Sequence, residues 1–435
     1  MNTSNSFAPS PELKALFRRL GVNPKATANG SDEAPALCIV ASIANLAQIE
    51  HAHGAAFARL VRYIVNERAR TVFGEYPGFV GHSGNHILFV FDTVVADRPP
   101  TRLFAPQASF LIERIQAVLA NDPVVSLDTK AYPVVSISVP EFSDAPFDIE
   151  AFGAAPLLSL PWGDGGRRGR EQFDADTRTA DRLLSALAER RLCFEWQPIC
   201  DARDTSAVLY YEALLCERTG AGLEHVGFAV QALERLGLTR RLDQWVVESV
   251  IEALRMNPGI RLACNVSAQS ARLDPWWSFV VDVLSEEPDI ASRLVLEITE
   301  TAPLFDLEAA QQFVGWLQRL GCRIALDDVG DGYSSMRCLA GLAPDIAKIS
   351  RGNLVRAARD AQGADFLRQL VAFAKTCAAT VVIEGIESDA DVAAARLAGA
   401  SGLQGYLFVR PDPGTAACLS LFEAPACERR PRPPG

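Results

Sequence analysis

The chain is predicted to be α/β, a (β/α)8 barrel in its second half preceded by a smaller α+β domain. Three observations predict this. The length is 435 residues, and one hydrophobic core seldom grows past about 250–300 residues. Residues 177–424 repeat a short apolar run followed by an amphipathic helical stretch, the crossover rhythm that parallel strands require. Residues 35–158 run strand, helix, two strands, helix, two strands, an order that suits antiparallel pairing.

Residues 1–34 read as a polar arm around one short helix, Pro11–Leu20. In the first domain Ala36–Ser42 reads as a strand, and Ala55–Val72 has the apolar spacing of a helix. Gly78–Phe91 reads as a hairpin with Ser83-Gly84-Asn85 at its turn. Phe104–Leu119 reads as a second helix, and Val124–Leu127 and Val134–Val139 as further strands. His82 and His86, beside the hairpin turn, are expected on an exposed loop. Residues 159–176 are assigned as the linker, because 161–176 are rich in Gly and charge and poor in apolar side chains. The barrel is placed at 177–424, about the usual size of that fold. The tail 425–435, with its Arg and Pro cluster, is expected to be disordered.

The net charge is −11, which argues against a polynucleotide partner. It leaves room for a small anionic ligand, since a bound cation reverses the local charge. No basic segment followed by an apolar core opens the chain, and no run of about 18 apolar residues occurs. A cytoplasmic protein without a membrane span is therefore expected. The 10 cysteines show no C-x-x-C pair and read as buried, reduced thiols.

In the second domain each apolar run leads into a polar residue. Val208–Tyr211 leads into Glu212, Leu262–Cys264 into Asn265, and Leu294–Leu296 into Glu297. Ile324–Leu326 leads into Asp327-Asp328, Ile346–Ala347 into Lys348, and Val381–Ile383 into Glu384. Amphipathic stretches such as Glu308–Leu320 and Ala364–Cys377 lie between them. In a (β/α)8 barrel the C-terminal strand ends meet on one face, so these distant residues converge there. Carboxylates placed together raise one another's pKa, and a divalent cation holds them ionised. The donors are all oxygen and the only histidine of this half is His225, so Mg²⁺ or Mn²⁺ is expected rather than zinc. The paired Asp327-Asp328 can serve two ions. Taken singly, each of these residues is more often a salt-bridged or solvated group; their coincidence at successive strand ends carries the reading.

These residues resemble the EAL phosphodiesterase family. Phe194-Glu195-Trp196-Gln197-Pro198-Ile199 looks like its opening F-x-x-Q-P-I strand, and Tyr211-Glu212-Ala213-Leu214-Leu215 carries the triplet that names it. Asn265-Val266-Ser267, Glu297-Ile298-Thr299-Glu300 and Asp327-Asp328-Val329-Gly330-Asp331-Gly332-Tyr333-Ser334-Ser335 match further motifs in order. Glu384-Gly385-Ile386-Glu387 and Gln404-Gly405-Tyr406 complete the set. The resemblance implies a TIM-like barrel with one antiparallel strand and hydrolysis of cyclic di-GMP to pGpG at a two-metal Mg²⁺ or Mn²⁺ site. By motif, Glu212, Asn265, Glu297 and Asp327 would hold one ion, and Asp327 with Asp328 the second. Glu384 would be the general base, with Lys348 orienting the water and Gln404 assisting at the metal site. Gln197 and Leu214 would contact the substrate, and Glu300 would anchor the loop Asp328–Ser335. A homodimer is the family expectation, and an unidentified protein partner acting through the N-terminal domain is the further partner allowed for.

The sequence departs from the family pattern in places. Cys216 stands where the family has an arginine that contacts ligand phosphate, Ser350 ends the family's K-[IL]-D, and Val329 and Asp331 replace Phe and Thr. The family's P-x-x-F-I-P-x-A run is missing, with Phe228-Ala229-Val230-Gln231-Ala232-Leu233 the nearest stretch. Weaker or regulated hydrolysis is expected, and the alternative is a cyclic-di-GMP receptor acting through a protein partner. The first domain resembles a degenerate GGDEF domain. Ser42 stands where that family has a metal-binding aspartate, so no diguanylate cyclase activity is expected. An enolase-like metal barrel is the third reading, and it leaves the E-A-L and Q-G-Y motifs unexplained.

Overall fold

The computed structural model of the chain describes residues 37–73, 78–83, 85–91, 106–139, 167–273, 275–299, 306–330 and 333–408. The assigned arm 1–34 and tail 425–435 lie outside these residues, as do residues 159–166 of the assigned linker and Glu300. The chain divides into two compact units. The first comprises residues up to Thr179 with Arg235–Leu238 and Asp274–Phe279, and the second comprises the rest.

The first unit contains β1 (Leu37–Ile43), β2 (Gly78–Ser83), β3 (His86–Phe91), β4 (Val124–Ser126), β5 (Thr129–Ala131) and β6 (Val135–Ser138). Four of them form an antiparallel sheet in the order β2-β3-β1-β6, and β4 pairs β5. β1 and β3 are apolar on both faces, with Ile39, Val40, Leu88 and Phe89 at most 1% exposed, so both sides of this sheet are covered. The helices Ala55–Arg70 and Pro106–Ala120 lie where helical periodicity places them. The helix Leu46–His53 and strand β5 escape the sequence reading because each is short. His82 and His86 sit within β2 and β3, half-buried, rather than on an exposed loop. His86 is cross-strand to Ser42, and Ser42 Oγ lies 2.6 Å from His86 Nδ1.

Residues 167–176, read from composition as linker, belong to the helix Arg167–Ala188. Phe173, Ala180, Leu183 and Leu184 are all buried, and their i, i+7, i+10, i+11 spacing makes one apolar stripe. That stripe is what the charged composition conceals.

The second unit contains β7 (Leu192–Asp201), β8 (Val208–Thr219), β9 (Gly222–His225), β10 (Leu262–Ser267) and β11 (Leu294–Thr299). It continues with β12 (Arg323–Val329), β13 (Ile346–Ile349), β14 (Thr380–Ile383) and β15 (Gly402–Gln404). The strands run β10-β11-β12-β13-β14-β15-β7-β8, and a further β8–β10 pairing closes these eight into a barrel. β7 is antiparallel to both its neighbours, and every other pairing around the ring is parallel. The expected TIM-like barrel with one antiparallel strand is therefore present. Helices such as Leu307–Arg319 and Ala361–Cys377 supply the crossovers, and Asp306 and Asp360 cap them by accepting from the backbone N–H of Ala309 and Gly363.

A single core layer fixes where the functional residues point. Ile199, Tyr210, Ala263, Val295, Ala325, Ile346 and Val382 form one buried cluster across the barrel interior. Side chains two residues apart on a strand share a face. The next inward residues along the parallel strands are therefore Glu212, Asn265, Glu297, Asp327, Lys348 and Glu384. On antiparallel β7 the same level is reached backwards, at Gln197.

Candidate functional site

Ladder register brings these residues to one level. Glu212 is cross-strand to Gln197 on β7 and to Ala263 on β10. Asn265 is directly opposite Glu297. Glu384 extends β14, its N–H donating to Ile349 O at 3.0 Å. The barrel thus collects at one end residues separated by up to 207 positions, the span of the Gln197–Gln404 contact.

Lys348 stands at the centre. Its Nζ lies 2.9 Å from Glu212 Oε2, 2.6 Å from Glu297 Oε2, 2.8 Å from Glu384 Oε1 and 3.3 Å from Asp327 Oδ1. Lys348 and Glu297 are wholly buried, and Glu212 and Gln404 nearly so. Gln404 Nε2 donates to Glu212 Oε2 at 2.6 Å and to Gln197 Oε1 at 2.6 Å, while Asn265 Nδ2 donates to Glu212 Oε1 at 2.7 Å. Glu212 is thus held from three sides.

One cation faces four carboxylates, so the cluster is short of positive charge. Burial, then the Glu212 charge, pushes Glu297 up to about 8. Burial, then Asp327, pushes Glu384 well above the usual carboxylate range. Glu212 goes the other way: burial works upward, but Lys348 and the donors Asn265 and Gln404 outweigh it. Burial also pushes the Tyr210 hydroxyl up, from the layer below. Unlike charges drawn together in low dielectric attract strongly, but four acids crowded round one base cannot all ionise at low cost.

The remaining oxygens show what the cluster fits. Asn265 Oδ1, Glu297 Oε1, Asp327 Oδ1 and Gln404 Oε1 are buried and accept no hydrogen bond. The 3.3 Å approach of Lys348 to Asp327 Oδ1 is a charge contact without hydrogen-bond geometry. Buried acceptors normally find partners, and four orphaned oxygens on one acidic cluster are the donor set of a hard divalent cation. The residues present therefore fit Mg²⁺ or Mn²⁺.

Asp327 and Asp328 pose a geometric problem, because neighbours on a strand point to opposite faces. The β12–β13 register shifts between Leu326 and Val329, and Asp328 takes the left-handed φ of 54°. Aspartate tolerates that conformation better than most residues. The bulge removes the strict alternation at the pair.

The EAL domain family matches residues 180–411, more than half of the chain. The chain belongs to this family. Among its relatives, the bifunctional diguanylate cyclase/cyclic di-GMP phosphodiesterase MucR of Pseudomonas aeruginosa is 29% identical over 271 residues, covering 59% of this chain and 40% of that protein. The cyclic di-GMP phosphodiesterase PdeF of Escherichia coli is 28% identical over 239 residues, covering 54% and 32%. An uncharacterized protein, y4lL of Sinorhizobium fredii, is 27% identical over 394 residues, covering 88% and 47%. This chain spans less than half the length of these relatives. Among the described residues no helix is long and apolar enough to cross a membrane.

Of the residues singled out in the EAL domain, the structure gathers Gln197, Glu212, Asn265, Glu297, Asp327, Lys348, Glu384 and Gln404 around one point. Leu214 lies two residues beyond Glu212 on the same face of β8, half-buried. Glu300 and part of the loop Asp328–Ser335 lie outside the described residues. Two features escape the sequence reading. Glu234 accepts from Ser267 Oγ at 2.9 Å through its side chain and from Gln269 Nε2 at 2.7 Å through its backbone, fixing the turn that follows Asn265. Cys216 is wholly buried against His225, 3.6 Å away. The substitution for arginine therefore does not leave an open position.

Proposed function

We propose that this chain is a divalent-metal-dependent phosphodiesterase that hydrolyses cyclic di-GMP to pGpG. The observation that carries it is the convergence of four carboxylates on Lys348 with four orphaned oxygens among them. Membership of the EAL family, whose relatives here include proteins named as cyclic di-GMP phosphodiesterases, supports this choice of substrate.

Glu212, Asn265, Glu297 and Asp327 would hold one Mg²⁺ or Mn²⁺, and Asp327 with Asp328 a second. Bound there, such ions would lower the pKa of water and offset charge developing on the phosphoryl oxygens. Glu384 takes the proton of the attacking water, whose oxygen forms the new bond to phosphorus. The opposite P–O3′ bond breaks, O3′ takes a proton from solvent and leaves as a hydroxyl, and Glu384 returns its proton to solvent. Lys348, locked among the acids, orients the water side of the cluster. Gln404 and Asn265 hold Glu212 in one rotamer. Gln197 and Leu214 line the approach on β7 and β8. By the family resemblance, Glu300 would anchor the loop Asp328–Ser335.

The N-terminal unit is the regulatory part of this reading, a degenerate GGDEF-like domain. Its Ser42 is buried and paired with His86, which leaves no acid at that position for a metal. A homodimer, and a protein partner reached through this unit, belong to the same proposal. The receptor reading draws on one observation, that position 216 holds a buried thiol rather than an arginine. Incubation with cyclic di-GMP and Mg²⁺ or Mn²⁺, with chromatography of the nucleotides, separates the two. Chelator-sensitive pGpG supports hydrolysis, and binding without product supports the receptor.

A further inference from the structure

The hairpin strands carry a second group of metal-binding side chain types, away from Lys348. Cys216 on β8 stands directly opposite Cys193 on β7 and His225 on β9. Cross-strand partners share a face, and Glu195, two residues along β7 from Cys193, shares it too. Cys216 Sγ lies 3.6 Å from His225 Nδ1, and His225 Nε2 lies 2.9 Å from Glu195 Oε2. One donor atom from each of Glu195, Cys216 and His225 lies within 4.8 Å of the other two.

A thiol, an imidazole and a carboxylate in a row also describe an activated nucleophile. Cys216 does not fit that role, because the thiol is wholly buried, and burial, then Glu195, pushes it up to about 12. A plain ion pair would need only His225 and Glu195. The donor mix is instead the one chosen by borderline-soft divalent ions, and hard Mg²⁺ does not choose it. With Zn–S near 2.3 Å and Zn–N near 2.0–2.1 Å, tetrahedral coordination puts sulfur and nitrogen about 3.5 Å apart. The observed separation is 3.6 Å. The His225 side chain is 50% exposed and Glu195 23%, so an ion enters from the imidazole side, where water can take the remaining positions.

We propose that Cys216 Sγ and His225 Nδ1 hold a zinc-class divalent cation, with Glu195 fixing the imidazole by accepting from Nε2–H, at a site separate from the oxygen-lined cluster around Lys348. The ion binds thiolate, so the thiol proton leaves to solvent. Because β7 and β8 also carry Gln197 and Glu212, loading this site braces the hairpin that presents them.

The test is a titration of the reduced full-length chain with Co²⁺, with Mg²⁺ in excess to fill the oxygen ligands. One equivalent is expected to give thiolate-to-cobalt absorption in the near ultraviolet, which oxygen ligands do not produce, and Zn²⁺ is expected to displace it. Cys216→Ser should abolish the band. His225→Ala should weaken cobalt binding by roughly tenfold or more, the scale seen even for groups behind a ligand, with unchanged circular dichroism. His225 is half exposed, so this variant decides the matter if Cys216→Ser fails to fold. Absence of the band, or its survival at full affinity in His225→Ala, would overturn the site.

Discussion

Lys348 is wholly buried and its charge faces four carboxylates. Removing one partner of a buried ion pair typically costs about 3–5 kcal/mol, since the other charge is left behind. Lys348→Met should therefore lower the urea midpoint clearly, and a midpoint equal to that of the parent would show that the acids do not depend on the lysine. Glu384 is predicted to act in catalysis and not in binding. Glu384→Gln should lower turnover by about 10²–10⁴-fold, the usual share of a general base, while calorimetry still shows cyclic di-GMP binding. Asp243 gives a pH test away from this cluster. It is buried, accepts from Ser270 Oγ at 2.6 Å, and has Glu234 and Arg240 nearby; burial is the main cause that pushes it up to about 7. A raised folded-state pKa means the folded chain holds the proton more tightly. This stabilising contribution is complete below the ordinary aspartate value of 3.8 and is lost as pH rises through about 7. Asp243→Asn should flatten the dependence of stability on pH across that window, which urea melts at several pH values will show.

At the scale of elements, the barrel acts as a register device. Every inward side chain of the cluster except Gln404 sits two residues from a core-layer residue, so strand packing aims the chemistry. Gly405 is the tightest point of this arrangement. Its φ is 156°, and a Cβ there would meet Ile386 O at 2.2 Å and Ile386 N at 2.3 Å. The backbone of Ile386 also donates to Gln404 O at 2.9 Å, so this contact ties the Glu384 strand end to Gln404. Gly405→Ala should destabilise the fold and lower turnover together, measured by melting and by pGpG formation; wild-type values for both would mean the contact is dispensable. The strand-end acids, the amide and the lysine are legible in sequence because a parallel barrel must bring such positions together and because their motifs occur in order. The bulge at Asp327-Asp328 is not legible, since Asp-Asp before Val-Gly reads the same in a regular strand. Nor is the role of Cys216, because cross-strand contact with His225 depends on the β8–β9 register. The helix over 167–176 is hidden by charge, and its buried stripe shows only once its packing is known.

At the scale of the whole molecule, the two units divide their chemistry unequally. The first carries a hydrogen-bonded Ser42–His86 pair; under the proposed degenerate GGDEF-like reading, incubation with GTP should yield no cyclic di-GMP, and product would overturn that reading. The second places an acidic, all-oxygen cluster at one end of a closed barrel. The measurement that bears most directly on it is turnover of cyclic di-GMP by the purified chain with Mg²⁺ or Mn²⁺, followed by chromatography. The predicted result is pGpG, abolished by chelator and by Glu212→Ala. Tight binding of the nucleotide with no pGpG under any metal would contradict hydrolysis at this cluster.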